Sequence, residues 1–301
     1  IQALRAWSNA SGNMRHVTGM LSAAAPDLAC DRAELDADPL LFNLENGTLV
    51  LSPDGSAALR PHSRRDRITM VAPVTYDPGA GCPKFEEWLR FILPDPADQE
   101  EDGEHRNEGD IRGLLKRFFG YSLTGSTALQ VALLFCGVGA NGKSTLVNVL
   151  RGIFGPYAQT LPVETLLDQD RKGGSEASPD IARLPSKRLA LASEPEKKSR
   201  LSTAKLKQFT GGEPIVAREL HKGFFEFQPS FKVVMSFNDR PSVPAQDDGT
   251  WRRMLLIMFM QKIPKEQRRE RFEDELLKEA SGILNWLIAG YRDWRAGGLR
   301  V

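Results

Sequence analysis

The residues best suited to chemistry lie in CGVGANGKSTL, Cys136 to Leu146. Gly137 to Ser144 fits the spacing G-x-x-x-x-G-K-[ST] without a mismatch. An apolar run, Val131–Phe135, precedes it and a helix-compatible stretch, Ser144–Ile153, follows, which is the strand–loop–helix context this pattern needs. Glycines let backbone amides turn inward around a chain of phosphates, and a helix N-terminus adds positive potential. Lys143 is placed to reach β- and γ-phosphates, and the Ser144 hydroxyl to join the shell of a Mg²⁺ ion. Gly137, Gly139, Asn141, Gly142, Lys143, Ser144 and Thr145 are therefore the candidate residues for holding a nucleoside triphosphate, ATP or GTP.

Hydrolysis also needs a group to orient water. RLALASEPE offers Glu194 at the end of the next apolar run, where a parallel sheet would set it beside the phosphate loop to polarise the attacking water and help hold the metal. Many phosphate-loop ATPases carry an Asp just before such a Glu. Here that place is Ser193, and Glu196 is a second possible acid. FKVVMSFNDRP ends a third run at Asn238, whose amide could hydrogen-bond a γ-phosphate or the lytic water. DDGTWRRMLLIMF places Arg252 and Arg253 just before a fourth. Arginine matches a transferring phosphate with several donors and no reorganisation, and one so far along the chain could serve a neighbouring subunit's nucleotide.

The elements that must position these groups follow from periodicity. Apolar runs at 130–135, 189–192, 232–237 and 254–259 read as strands buried on both faces, with helical segments between them. That alternation predicts an α/β ATPase core with a mostly parallel sheet over 126–301. A helical connector containing an acidic stretch is expected over 81–125. Within it KFEEWLRFIL and IRGLLKRFFGYSL have helical spacing, and Asp95 to Asp110 carries eight acids and one arginine, the composition of a solvated loop. Residues 1–80 read as a smaller α+β region. In it Asn46-Gly47 signals a hairpin between two short apolar runs, and 68–78 is a further extended segment. In Ser178-Pro179-Asp180 the order suits a helix start with Ser178 as cap.

Bulk properties narrow the classes. The chain has 301 residues, 41% hydrophobic and 26% charged, with a net charge of +1, so contact with nucleic acid must be local and not a chain-wide basic field. Cys30, Cys82 and Cys136 are isolated, which suggests neither a zinc site nor a disulfide framework. No apolar run approaches membrane-spanning length. The chain begins at Ile1 without a signal-peptide pattern and reads as a piece of something longer. The basic cluster RPHSRRDR (60–67) reads as a solvated loop, His16 and His105 as surface residues, and Asp36 and Asp38 as a turn or helix cap.

The order GVGANGKST, RLALASE, KLKQFTGGEPIVAREL, FKVVMSFN, WRRMLLIMF resembles superfamily III helicases, most closely their phage, plasmid and poxvirus primase–helicase branch. NLENGTL, RPHSRRDRIT and VTYDPGAGCPKFEEWL resemble the amino-terminal region of that branch, and SGILNWLIAGYRDW its closing helices, so the resemblance covers most of the chain. The Ser193-Glu194 form of the second motif also resembles that branch. The resemblance implies an AAA+-like ATPase that assembles as a ring, usually a hexamer, and translocates on single-stranded DNA in the cytoplasm of a bacterial host cell. Carried over, Lys143 and Ser144 bind ATP and Mg²⁺, Glu194 activates water, Asn238 is the sensor, and Arg252 or Arg253 is a finger acting in trans.

Between Glu194 and Asn238, IVARE and FFEFQ read as two β-prone arms around a Leu-His-Lys-Gly tip. A basic tip can grip a phosphate backbone without reading bases, and the resemblance puts DNA contact at His221 and Lys222, flanked by Lys205, Lys207 and Arg218. The expected activity is that of an ATP-dependent DNA helicase. The competing expectation is an ATPase ring that acts as a switch or assembly factor without unwinding. A small-molecule kinase is disfavoured because no second substrate pocket is evident.

Overall fold

The computed structural model describes residues 7, 11–27, 29–94, 109–168, 178–193, 200–238, 242 and 248–299. The amino-terminal region opens with helix α1 (Met14–Ala24), capped by Asn13, in which no residue is buried. It continues as a three-stranded antiparallel sheet of β1 (Leu41–Leu44), β2 (Gly47–Leu51) and β3 (Ala57–Arg60), in the order β1-β2-β3. Leu44 pairs with Gly47, so Glu45 and Asn46 form the turn. Asn46 was expected here for its tolerance of positive φ, but its backbone does not use it. Its amide instead donates to the Tyr76 carbonyl and accepts from the Tyr76 amide, both at 2.9 Å, pinning the extended 70–76 segment beside the hairpin. Met70, Ala72 and Val74 alternate inward from that segment.

Two helices follow. In α2 (Pro83–Ile92), proline occupies the first turn and Phe85, Trp88, Leu89 and Ile92 are buried at the spacing of one helical face. The next, α3 (Ile111–Ser122), is capped by Asp110, whose carboxylate accepts from Gly113 N at 2.8 Å. It packs against the closing helix α8 (Ala280–Gly297). A methyl group on Gly120 would sit 2.1 Å from Tyr291 N, and one on Gly290 would sit 1.9 Å from the Lys116 carbonyl. Those two glycines let the helix backbones touch.

The carboxy-terminal part is built on five parallel strands: β4 (Ala132–Cys136), β5 (Ala158–Pro162), β6 (Leu189–Ser193), β9 (Lys232–Phe237) and β10 (Met254–Met258), in the order β10-β4-β9-β6-β5. A separate antiparallel hairpin, β7 (Ile215–Arg218) and β8 (Phe224–Phe227), lies between β6 and β9 in the chain. Helices α4 (Lys143–Phe154), α5 (Thr203–Thr210), α6 (Asp248–Trp251) and α7 (Phe272–Leu276) complete it. Strand alternation splits the interior in two. Leu133, Phe135, Leu191 and Val234 face one core, while Ala132, Leu134, Ala190 and Met235 face the other. Four strands match the apolar runs. The fifth, β5, carries AQTLP on the sheet edge, and of its residues only Leu161 is buried.

The amino-terminal region and the connector are fastened to the sheet by buried cations at the strands' N-terminal edge, Arg188 to the first and Lys232 to the second. Arg188 donates to the Leu41 carbonyl at 3.2 Å and to the Asp38 carbonyl at 3.4 Å. The Lys232 ammonium bonds the Thr124 carbonyl and lies 4.4 Å from the Tyr121 ring centroid. Burial pulls Arg188 down to about 10 and Lys232 well below the ordinary lysine value.

Candidate functional site

The loop 137–142 emerges where β4 ends and is held from three sides. From the segment that follows β10, Phe259 N donates to the Cys136 carbonyl at 2.7 Å, and Ile263 N to the Ala140 carbonyl at 2.8 Å. From β9, the Phe237 carbonyl accepts from Gly137 N at 3.3 Å. Below, α2 fits against Gly142, where a side-chain carbon would come within 2.9 Å of Ile92 and 3.1 Å of Trp88. Gly142 also has φ +87° and Gly137 has φ +148°, where added bulk would meet the Phe259 carbonyl at 2.3 Å. Gly139 is different, because a Cβ there meets nothing within 4 Å.

Asn141 is the brace inside this loop. Its Nδ2 donates to the Val138 and Phe259 carbonyls, each at 3.0 Å, and its Oδ1 accepts from Lys143 Nζ at 3.2 Å. The side chain therefore points into the protein, and its part in the site is to position. Lys143, only 6% exposed, also bonds the Gly137 carbonyl. A buried ammonium at the first turn of α4 adds to the positive end of the helix, a combination that favours an anion at the loop. Ser144 is exposed beside it and Thr145 half-buried.

Parallel register places the other expected groups. Cys136 pairs with Phe237, so Asn238 follows β9 at the same edge as the loop, as expected of a residue on the adjacent strand. Ser193 pairs with Ser236 and ends β6 at that edge too. Yet β6 does not adjoin β4, because β9 lies between them. The strand that leads to Glu194 therefore ends at the loop's edge of the sheet, two strands from β4. Glu194 and Glu196 themselves lie outside the described residues, as does most of the acidic 95–110 stretch.

Arg252 and Arg253 stand at the opposite edge. Met254 pairs with Ala132 and Met258 with Cys136, so about 16 Å of strand separates them from the loop of their own chain. They are not equivalent. Arg252 is exposed. Arg253 is 9% exposed, donates to the Gly249 carbonyl at 2.5 Å and to Gln130 Oε1 at 2.9 Å, and keeps a buried Nε without a hydrogen-bond partner.

The β7–β8 hairpin has the form read from its two arms. Ile215 and Ala217 are buried, and the tip turns through His221 at φ +61°. The Lys222 ammonium is bonded to the Glu219 carboxylate, whose pKa that contact lowers, and Arg32 stands 3.9 Å from the same carboxylate. Lys205 and Lys207 are half-buried on α5. The helix start expected at Ser178 is a single 3₁₀ turn, Ile181–Arg183. Ser178 spends its hydroxyl on Arg218 N at 3.1 Å and its amide on the Arg218 carbonyl at 3.0 Å, so it anchors the hairpin.

Groups read as structural stay structural. Asp36 accepts from Thr69, Asp38 from Leu40 N, and in the 60–67 cluster Arg60 forms a two-pronged pair with Asp66 at 2.7 and 2.8 Å. Among the described residues no group of three or more His, Cys, Asp or Glu side chains is gathered as for a metal. Nor is any of their helices long and apolar enough to cross a membrane.

Residues 1–94 match the family model described as "D5 N terminal like", and 135–253 match one described as "Family of unknown function (DUF5906)". The chain is 33% identical over 269 residues to "Putative helicase L207/L206" of Acanthamoeba polyphaga mimivirus, covering 87% of this chain and 26% of that protein. It is 30% identical over 157 residues to "Putative helicase 022R" of Frog virus 3, covering 51% and 16%. These matches agree with the resemblance to superfamily III primase–helicases. It spans about a quarter of the mimivirus relative's length and less of the frog-virus one. The fold is similar to that of the apo structure of NrS-1 C terminal region (305-718), with a TM-score of 0.56 and 18% identity over 88% of this chain and 56% of that one.

Proposed function

We propose that this chain is the motor part of an ATP-dependent DNA helicase, working in a ring of copies on single-stranded DNA. The observation that carries the reading is a site split across the sheet. The phosphate loop, Lys143 and Asn238 share one edge, while the exposed Arg252 stands at the other, about 16 Å away along the strands. Such a site is completed when a second copy brings its arginine to the first copy's loop, which favours a ring over a solitary switch.

In this reading Lys143 leaves Gly137 and Asn141 to meet the β- and γ-phosphates of ATP. The donor set fits the group: a buried ammonium, the α4 N-terminus and an exposed Ser144 hydroxyl converge on the loop mouth. Ser144, together with Glu194, would hold Mg²⁺, which when bound neutralises phosphate charge. Glu194 polarises the attacking water, Asn238 bonds the γ-phosphate or that water, and a neighbour's Arg252 stabilises the charge on the transferring phosphate. His221 and Lys222 carry DNA at the hairpin tip. The viral relatives support a viral replication setting.

The test is strand separation. The chain is expected to unwind a forked DNA duplex with ATP, and Lys143→Ala to abolish it. Unwinding that persists in Lys143→Ala would remove the assignment of this loop.

A further inference from the structure

We propose that Phe224 is a stacking platform for a base of single-stranded nucleic acid, with Arg218 and Lys222 set to take the phosphates on either side. The inference rests on the helicase reading above and names how the hairpin holds its strand. Alternation along the arms gives the hairpin two faces. Ile215 and Ala217 point into the core, while Val216, Arg218 and Phe224 point outward. Phe224 is 58% exposed, an unusual placement for a phenylalanine. It pairs across the strands with Arg218, whose guanidinium carbon lies 5.1 Å from the ring centroid. Arg218 Nε donates to the Lys222 carbonyl at 3.1 Å, so ring, guanidinium and tip form one unit.

Access and charge suit a polynucleotide. Gly223, next to the ring, has nothing within 4 Å of where a Cβ would project. Arg32 and Lys222 pair with the Glu219 carboxylate and Arg218 lies over the Phe224 ring, so these three cations outnumber the two acids of this face, Glu219 and the exposed Glu226. Aromatic rings interleaved with cations are the means by which proteins hold single strands without reading sequence, since every base offers a π-face. A purely electrostatic grip would need the lysine and histidine but not an exposed ring beside them.

The experiment uses the full chain and an oligothymidine carrying one 2-aminopurine, with affinity read by anisotropy and stacking by quenching of the 2-aminopurine fluorescence. Phe224→Leu keeps a large apolar side chain but removes the π-face. It is expected to weaken binding about 5- to 150-fold and to abolish the quench, whereas Phe224→Tyr keeps both. The salt slope of Phe224→Leu should match the wild type, while Lys222→Ala should flatten it by about 0.7 per phosphate lost. Melting temperature and sedimentation of each variant show whether it folds and assembles. Retained affinity and quench in a folded Phe224→Leu would overturn the proposal. A changed assembly size with unchanged DNA affinity would overturn it too, and would make this face a contact between subunits. Wild-type chain that hydrolyses ATP but binds no single strand would instead overturn the parent helicase reading.

Discussion

Arg252 and Arg253 are neighbours in sequence, and the structure separates their roles in a way one pair of variants can read. Arg253 is buried and spends its guanidinium on the Gly249 carbonyl and Gln130 Oε1, tying the start of β10 to the segment that enters β4. Hydrogen bonds from a charged group are worth about 1.5–3 kcal/mol each. Arg253→Ala should therefore cost about 3–6 kcal/mol, since it removes both bonds and leaves two acceptors behind. For a chain of this size that is a fall in melting temperature of about 6–12 °C, at roughly 2 °C per kcal/mol. Arg252 is exposed, so Arg252→Ala should shift stability by less than about 0.5 kcal/mol. If it is the trans finger, kcat should fall at least about 10³-fold, with nucleotide binding retained. Calorimetry, a steady-state ATPase assay and binding of a fluorescent ATP analogue measure the three quantities. Mixing Arg252→Ala with Lys143→Ala subunits should restore part of the rate, because one partner supplies the arginine and the other the lysine. A wild-type melting temperature for Arg253→Ala together with wild-type turnover for Arg252→Ala would refute the division. A mixture that never regains activity would refute action in trans.

Two further outcomes follow from local geometry. Asn141→Ala unties the loop from Phe259 and frees Lys143 from one partner, so nucleotide affinity should drop about tenfold, the equivalent of one or two ordinary hydrogen bonds. Fluorescent-nucleotide titration checks this, and unchanged affinity would make the brace irrelevant to binding. Cys30 is the exposed thiol, whereas Cys82 and Cys136 are buried and burial pushes Cys82 up to about 12. Native chain should therefore react with one equivalent of a thiol reagent at pH 8 and with three after denaturation. A second equivalent in the native chain would contradict the packing around Cys82 and Cys136.

Much of the fold was legible because strands buried on both faces write themselves as unbroken apolar runs. The runs ending at Phe135, Ala192, Phe237 and Phe259 became β4, β6, β9 and β10. The strand AQTLP was not legible, since an edge strand buries little and Leu161 alone marks it. Nor can strand order be read from periodicity. The insertion of β9 between β4 and β6 depends on how crossovers pack, which apolar runs do not record. Within the site, glycine spacing and Lys143 were plain. The inward turn of Asn141 was not, because its carbonyl partner Phe259 is 118 residues away. The same holds for Arg253, whose structural role rests on Gln130, 123 residues earlier.

If this loop and this hairpin belong to one motor, ATP turnover must respond to single-stranded DNA, and turnover with and without it is the measurement that decides. Hydrolysis is expected to require Lys143 and to rise severalfold when single-stranded DNA is added, with Lys222→Ala reducing the rise. Turnover that is indifferent to DNA at low salt, where phosphate contacts are strongest, would contradict it and leave a nucleotide switch in its place.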